Sequence, residues 1–334
     1  MEQKCKELSN KNYKWMADNY EKIKKKPLNR IKIPGTHDSF TNSINFRNND
    51  SALMFANDSP SEMWKVFSVP FIPKTFMLMM LVPWANTQSC TATEQLNHGI
   101  RYFDVRICKD DRESLDNQFK ICHNFYAGKI MDILSEVRDF VINVAPSEFI
   151  ILDFNHFYGL SQKDHDYLLS KIITQVGDVM IKPSQFKLNS TLESMWANTT
   201  RRVFIFYNDN YLKATSPDIA EYFHTNDDIE YTWGDTLNIN YLNEYNLRKL
   251  KQRSESKDDI SNTLLSLQLV LTPNIGTIVQ GFFNRPYSIL DITQPMISPI
   301  QQWIPSYDQS LLNIITCDYY HLYNFTDIVI QSNT

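Results

Sequence analysis

Two histidines, one arginine and several carboxylates stand where alternating apolar runs give way to polar residues. In Arg30–Phe40 (RIKIPGTHDSF), Ile31 and Ile33 alternate with polar residues, Pro34-Gly35 reads as a break, and Thr36, His37, Asp38 and Ser39 follow. A hairpin would turn on a tight Gly or Asn pair and return with alternating residues, which this segment does not do. Other apolar runs end in Asp104 and Arg106, His123 and Asn124, Asp153 and Asn155, Asn208 and Asp209, and Asp318 and Tyr319. Together these groups suit phosphoryl transfer. A neutral histidine takes a proton from an attacking hydroxyl, and a protonated one gives a proton to the leaving oxygen. An arginine fork matches the non-bridging oxygens of a phosphate, and a carboxylate behind a histidine fixes its tautomer. Taken singly, each residue has an ordinary structural explanation: a strand-end histidine is usually a satisfied packing residue, and Asp104 or Asp153 inside a strand is often a buried partner for an arginine. Convergence on one rim is what favours chemistry.

That convergence needs elements to produce it. The pattern predicts eight strands: Leu28–Ile33, Arg101–Ile107, Phe119–His123, Phe149–Phe154, Arg202–Tyr207, Ile229–Trp233, Leu264–Leu271 and Leu312–Cys317. FIILDF and RVFIFY are continuous apolar runs, as expected of strands covered on both faces in a parallel sheet. Between them lie helical patterns. Ile130, Ile133, Leu134, Val137, Val141 and Val144 recur at helical spacing until Pro146, and Ser161 with Asp164 reads as a capping pair. Strands alternating with helices predict an α/β fold, either a single-domain TIM-type (β/α)8 barrel or an open doubly wound sheet. In a barrel, the polar strand ends above share the carboxyl-terminal mouth. Among the other histidines, His98 is expected at a helix end, His165 and His224 at the surface, and His156 and His321 within reach of the rim. The charged stretch Arg248–Asp259 reads as a solvated helix face.

Composition narrows the function class. The 334 residues are 43% hydrophobic and 21% charged with a net charge of −5, so the chain can bury a large core and offers no broad basic face for nucleic acid. The charged N-terminus lacks the apolar core of a secretory leader. Five cysteines, Cys5, Cys90, Cys108, Cys122 and Cys317, form no CxxC pair, so the expectation is reduced thiols in the cytoplasm, with neither zinc nor a disulfide framework. With eight glycines and no GxGxxG, Walker A, GxSxG or HExxH motif, nucleotide-cradling loops and the familiar hydrolase and metalloprotease centres are not indicated. The apolar run Val66–Ala85 is interrupted by Pro70, Pro73 and Lys74, which argues against a membrane span.

The same residues carry a resemblance. The segments IPGTHDSFT, WANTQSCTATEQLNHGIRYFDVRI, ICHNFYAGKIMDIL, APSEFIILDFNHFYGL, LQLVLTPNIGTIVQG and LLNIITCDYYHLYNFTDIVIQSN resemble the phosphatidylinositol-specific phospholipase C X-domain family, most of all its small animal members that contain only the X domain. The resemblance runs from about Arg30 to the C-terminus and implies a TIM-type barrel. It implies an N-terminal extension or helix over 1–27 and a barrel over 28–334 with an apolar insertion around 45–90. It casts His37 as the general base on the inositol 2-hydroxyl, Asp38 as the acid assisting the leaving group, and Arg106 as the phosphate-stabilising cation. His123 becomes the general acid that protonates the diacylglycerol oxygen, and Asp318 the carboxylate orienting the base. Asp104 takes the acidic position beside Arg106. Asp153, Asn155, Asn208 and Tyr319 are candidates for reading the inositol ring, with Asp104 also expected to bind substrate. The products implied are diacylglycerol and a cyclic or monophosphorylated inositol.

Departures from the family's calcium-dependent signalling members matter too. Those place Asn after the first histidine, whereas this chain has Asp38, with Arg106 in the charge-compensating place. The expectation is therefore no required metal, with Asp104 and Asp153 leaving room for Ca2+ or Mg2+. The expected partner is a phosphoinositide membrane lipid. Residues 66–85, including Phe67, Phe71, Ile72, Phe76 and Leu78, either touch the membrane peripherally or pack beneath the barrel rim. The alternatives are a catalytically weak phosphoinositide-binding or scaffold protein, or an enzyme for a different phosphodiester.

Overall fold

The computed structural model describes residues 5, 10–45, 55–59, 73–256 and 261–333. Ten strands occur among them: β1 (Ile33–Thr36), β2 (Tyr102–Lys109), β3 (Phe119–His123), β4 (Phe125–Lys129), β5 (Ile150–Tyr158), β6 (Val203–Tyr207), β7 (His224–Thr225), β8 (Ile229–Thr232), β9 (Leu264–Gln268) and β10 (Ile314–Cys317). Eight of them run parallel in the order β7-β6-β5-β2-β1-β10-β9-β8, while β3 and β4 form an antiparallel hairpin off β2. Helices link most of the parallel strands, giving a single-domain TIM-type barrel. The exception is the step from β7 to β8, bridged only by the short turn Asn226–Asp228. Among the described residues no ladder joins these two strands, so the barrel has one open seam.

Side-chain alternation along the strands builds two apolar layers. Ile33, Tyr102, Ile151, Phe204, Phe206, Leu264 and Ile314 pack together inside the barrel, and this cluster continues into Trp15, Met16, Ile23 and Leu28 of the N-terminal stretch. Their neighbours Phe103, Val105, Ile150, Leu152, Ile205, Leu267 and Ile315 face outward against Leu134, Val137, Leu168, Leu169 and Ile172. The last three belong to the helix Gln162–Val176, which starts with the expected Ser161–Asp164 capping box. The helix Ile130–Asp139 continues as a wider π turn over Phe140–Val144 and stops before Pro146.

Several sequence expectations are corrected here. Leu28–Arg30 is a 3-10 turn, and the first strand begins at Ile33 and runs through Pro34-Gly35 instead of breaking there. Gly35 suits this crowded strand because a Cβ would lie 2.8 Å from both Thr316 and Tyr102 of the neighbouring strands. Phe119–His123 is outside the parallel ring, and its place in the count of eight is taken by β7, whose two residues are too short for a periodic signal. His165 and His224 are buried: His165 Nδ1 pairs with the Tyr207 hydroxyl at 2.7 Å, and His224 Nε2 with the Ile181 carbonyl at 3.0 Å. Within the charged stretch, Arg253 is buried against Glu230. Cys5 and Cys90 form a disulfide, so the five cysteines are not all reduced. Folding closes an 85-residue separation that spacing alone could not reveal.

Candidate active site

Parallel register delivers the polar groups to one place. Pairing of Thr36 with Cys317 sets the next residues, His37 and Asp318, side by side at the barrel mouth. Pairing of Thr36 with Phe103 brings Asp104 and Arg106 alongside. The β2–β5 register shifts after Val105, so Arg106 pairs with His156 and Asn155 is left opposite no residue. Freed in this way, Asn155 Nδ2 donates to Asp104 Oδ1 at 2.7 Å. His123 arrives from the hairpin, at the end of β3.

Next to three of these residues the backbone enters the left-handed region: Asp38 has φ +41°, Asn124 +59° and Tyr319 +45°. Non-glycine residues rarely occupy it, and such turns are held by their surroundings. Here the Asp104 carboxylate accepts the Asp38 N–H at 3.1 Å, the Asp58 carboxylate accepts the Asn124 N–H at 2.7 Å, and the Thr87 carbonyl accepts the Tyr319 N–H at 2.9 Å. Gln88 ties two strand ends together by donating to the carbonyls of His37 and Cys317, each at 3.0 Å.

Charge is concentrated on Asp38. Its buried carboxylate touches Arg106 Nε, lies 3.4 Å from His37 Nε2 and 3.3 Å from His123 Nε2. Burial alone would raise its pKa, but Arg106 and the two histidines outweigh that and hold it down at about 2. His37 Nδ1 is 2.9 Å from Asp318 Oδ1, and its Nε2 is 3.3 Å from an Arg106 terminal nitrogen. Burial disfavours the imidazolium, yet Asp38 and Asp318 prevail and lift His37 to about 9. Burial also raises Asp318, against the pull of His37. His123 Nδ1 meets the Ala85 carbonyl at 3.0 Å, which leaves its Nε2 directed at Asp38.

These groups border two adjoining recesses. One of about 210 Å³ holds His37, Asp38, Arg106, His123 and Asp318; one of about 460 Å³ holds Asp104, Arg106, Asn155, His156 and Tyr231. Arg106 and Trp233 border both, and the Trp233 ring lies 5.5 Å from His37, tilted by 37°. Asp153 lies below this surface, fully buried, accepting from the Tyr102 and Tyr231 hydroxyls at 2.6 and 2.8 Å. Burial pushes it up to about 7 in spite of those donors. The buried Tyr319 hydroxyl donates to the Asn86 carbonyl at 2.6 Å and borders neither recess. Asn208 caps the helix Asp209–Lys213, and His321 is buried in the turn Tyr320–Leu322. Tyr231, Trp233 and Gln268 escaped sequence reasoning because it weighed ionisable strand ends; an aromatic pair ending a strand at Gly234 was the available signal.

Ligand-type atoms of His37, Asp38 and Asp104 lie within 4.8 Å of one another. The Arg106 guanidinium already stands among them, on Asp38, 3.3 Å from His37 Nε2 and 4.0 Å from Asp104. A Ca2+ or Mg2+ ion would have to share that space with a fixed positive charge, so the residues fit a guanidinium and not a second cation.

Comparison with known proteins agrees with this frame. The PI-PLC X family pattern matches residues 81–246. PI-PLC X domain-containing protein 3 of Mus musculus is 30% identical over 325 residues, 96% of this chain and 92% of that one. Among solved structures, a mutant of the phosphatidylinositol-specific phospholipase C from Staphylococcus aureus superposes with a TM-score of 0.64 at 14% identity, over 97% of this chain and 98% of that one. The enzyme of the same name from Listeria monocytogenes gives 0.58, also at 14% identity, over 97% and 99%. The structural likeness establishes a shared barrel, and the sequence likeness goes further: this chain belongs to the PI-PLC X domain-containing family.

Proposed function

We propose that the protein is a phosphoinositide phospholipase C-type phosphodiesterase that cleaves phosphatidylinositol to diacylglycerol and a cyclic inositol phosphate, which water then opens. The observation that carries this reading is the placement of His37. Its Nδ1 is backed by Asp318 at 2.9 Å while Nε2 faces the recess beside Arg106. In the neutral tautomer, Nδ1–H donates to Asp318 and the Nε2 lone pair takes the proton of the inositol 2-hydroxyl. The alkoxide attacks phosphorus as the bond to the diacylglycerol oxygen breaks. His123, protonated at Nε2 and held by Asp38, supplies that oxygen's proton. Arg106 offers donors to the non-bridging oxygens as charge builds on them. Water then adds with the two histidines in exchanged roles.

Approach to the lipid is part of the same proposal. Residues 66–72 lie outside the described residues, but the helix Lys74–Leu81 exposes Phe76 and Met79 while burying Met77 and Leu78. Ile278 and Phe282 pack on the same small core, beside the exposed Val279 and Phe283. Such an apolar rim near the recess suits peripheral contact with a bilayer. No helix among the described residues is long and apolar enough to cross one. Phe76→Ser with Met79→Ser should weaken sedimentation with phosphatidylinositol vesicles, and unchanged sedimentation would remove this contact. Location is a separate matter: the Cys5–Cys90 bond weighs against the cytoplasmic placement inferred from reduced thiols, since disulfides persist mainly in oxidising compartments. Thiol labelling of the protein at cell lysis tests it, with three reactive cysteines expected after denaturation.

The decisive assay incubates the protein with phosphatidylinositol vesicles in EDTA and follows phosphorus-31 NMR. A cyclic phosphodiester lost in His37→Ala and His123→Ala supports the reading. Product only after calcium is added would overturn the role given to Arg106. Vesicle binding without turnover would leave a phosphoinositide-binding or scaffold protein.

A further inference from the structure

Behind the turn that carries His123 lies a second cluster with a different chemistry. Cys108 near the end of β2 and Cys122 near the end of β3 are brought together by the antiparallel pairing of these strands and share one small buried cluster. Asp58, from the segment before β2, turns its carboxylate onto the pair, with Oδ1 3.8 Å from Cys108 Sγ. Both thiols are buried, whereas Asp58 is half-buried and opens the cluster to solvent. One ligand atom from each of the three residues lies within 4.8 Å of the others.

We propose that Asp58, Cys108 and Cys122 form a binding site for one soft divalent cation of the zinc class. Two thiolates and a carboxylate are a donor set such an ion favours, and a water would complete a tetrahedron. Tetrahedral zinc–sulfur bonds of about 2.3 Å put two sulfurs about 3.8 Å apart, so closing on an ion asks for shifts of about 1 Å or less. Binding makes two sulfur–metal bonds and one oxygen–metal bond, and the two thiol protons leave to solvent. A supporting shell is in place, because Asp58 Oδ2 accepts the Asn124 N–H at 2.7 Å. Arg106, one of the positive charges near Cys122, is engaged with Asp38.

The ion would link chain segments that meet at the active site. Ala56 donates its N–H to the Asn124 carbonyl at 2.9 Å, and Ser59 donates its hydroxyl to the same carbonyl. Metal on Asp58 therefore fastens residues 55–59 to the His123–Asn124 turn. The site stands independently of the lipid-cleaving reading.

The test is a Co2+ titration of the protein purified with its disulfide intact and without chelator. The expected result is one equivalent of Co2+ with a thiolate charge-transfer band and tetrahedral d–d bands, both removed by one equivalent of Zn2+. His37, Asp38 and Asp104 contain no sulfur and cannot produce that band. Cys108→Ser and Cys122→Ser should each abolish it. Asp58→Asn, at a half-buried position that tolerates the change, should weaken affinity by more than the roughly 10–100-fold lost with outer-shell partners. A wild-type protein with no thiolate band overturns the proposal without recourse to any variant. So does a band that survives both serine variants, or an air-stable protein four hydrogens lighter than the fully reduced chain that binds no metal, which would make the pair a second disulfide beside Cys5–Cys90.

Discussion

Two arginines five residues apart on one stretch of chain show how this barrel separates stability from chemistry. Arg101, just before β2, is fully buried with Glu148 at 2.9 Å. Its other nitrogens donate to the carbonyls of Leu96, Ile100, Asn12 and Tyr13, and Glu148 also accepts the N–H groups of Met16 and Ala17. All of the guanidinium's nitrogens are spent on protein, so the pair fastens the N-terminal stretch to the barrel and offers a ligand nothing. Arg106, midway along β2, touches Asp38 through Nε and borders both recesses. Its side chain keeps 18% of its surface exposed, against none for Arg101. A saturated ion pair fastens the fold; an ion pair with spare donors facing a cleft can still meet a ligand.

That contrast can be broken experimentally. Arg101→Met strands a buried carboxylate and should cost about 3–5 kcal/mol in denaturant unfolding. Arg101→Met combined with Glu148→Leu should recover much of that loss, because the uncompensated charge is gone. A double variant as unstable as the single would show that the backbone hydrogen bonds, and not the charge pair, hold this region. Arg106→Lys keeps the charge but loses the planar fork, and should lower kcat about 100-fold or more with a smaller effect on stability than Arg101→Met. Equal stability losses at the two arginines would erase the distinction.

The sharpest test of the functional end is its pH dependence. His37 is raised in the folded protein from the ordinary histidine range to about 9. Its contribution to stability is therefore complete below about 6.5 and is lost as pH rises through about 9. The neutral His37 that the proposed reaction would use appears over the same interval. Melting temperature should fall over this interval, and His37→Ala should flatten that part of the melting profile. Asp38 behaves in the opposite sense: its depressed pKa gives stability above about 4 that is lost as pH falls through about 2. The smallest effect belongs to the exposed Arg138–Asp178 pair, where Arg138→Ala should leave the melting temperature almost unchanged.

Much of the site was legible because of its chemistry and chain position. His37 and Asp318 follow neighbouring strands and Asp104 and Arg106 lie on the next one, where parallel register makes them neighbours, while His123 ends the hairpin strand β3. Asp153 and Tyr319 share that position but not that role, because a one-residue change of facing puts a side chain under the mouth or into the wall. Asp153 is met by two tyrosine hydroxyls below the recess, and Tyr319 serves through its left-handed backbone. No propensity foretells either outcome.

The sequence by itself determined the alternation of strands and helices, the capping box at Ser161, the polar strand ends and the family, all properties carried by residue type and local spacing. Only the tertiary structure decided which groups touch. It closed Cys5 onto Cys90, displaced Phe119–His123 from the barrel ring, left the seam between β7 and β8, and put Asp58 on a pair of thiols. It also made Asp38 the shared partner of one arginine and two histidines. The physical reason is that contact, burial and electrostatics depend on separations in space, and these are set by register and packing between segments far apart in the chain.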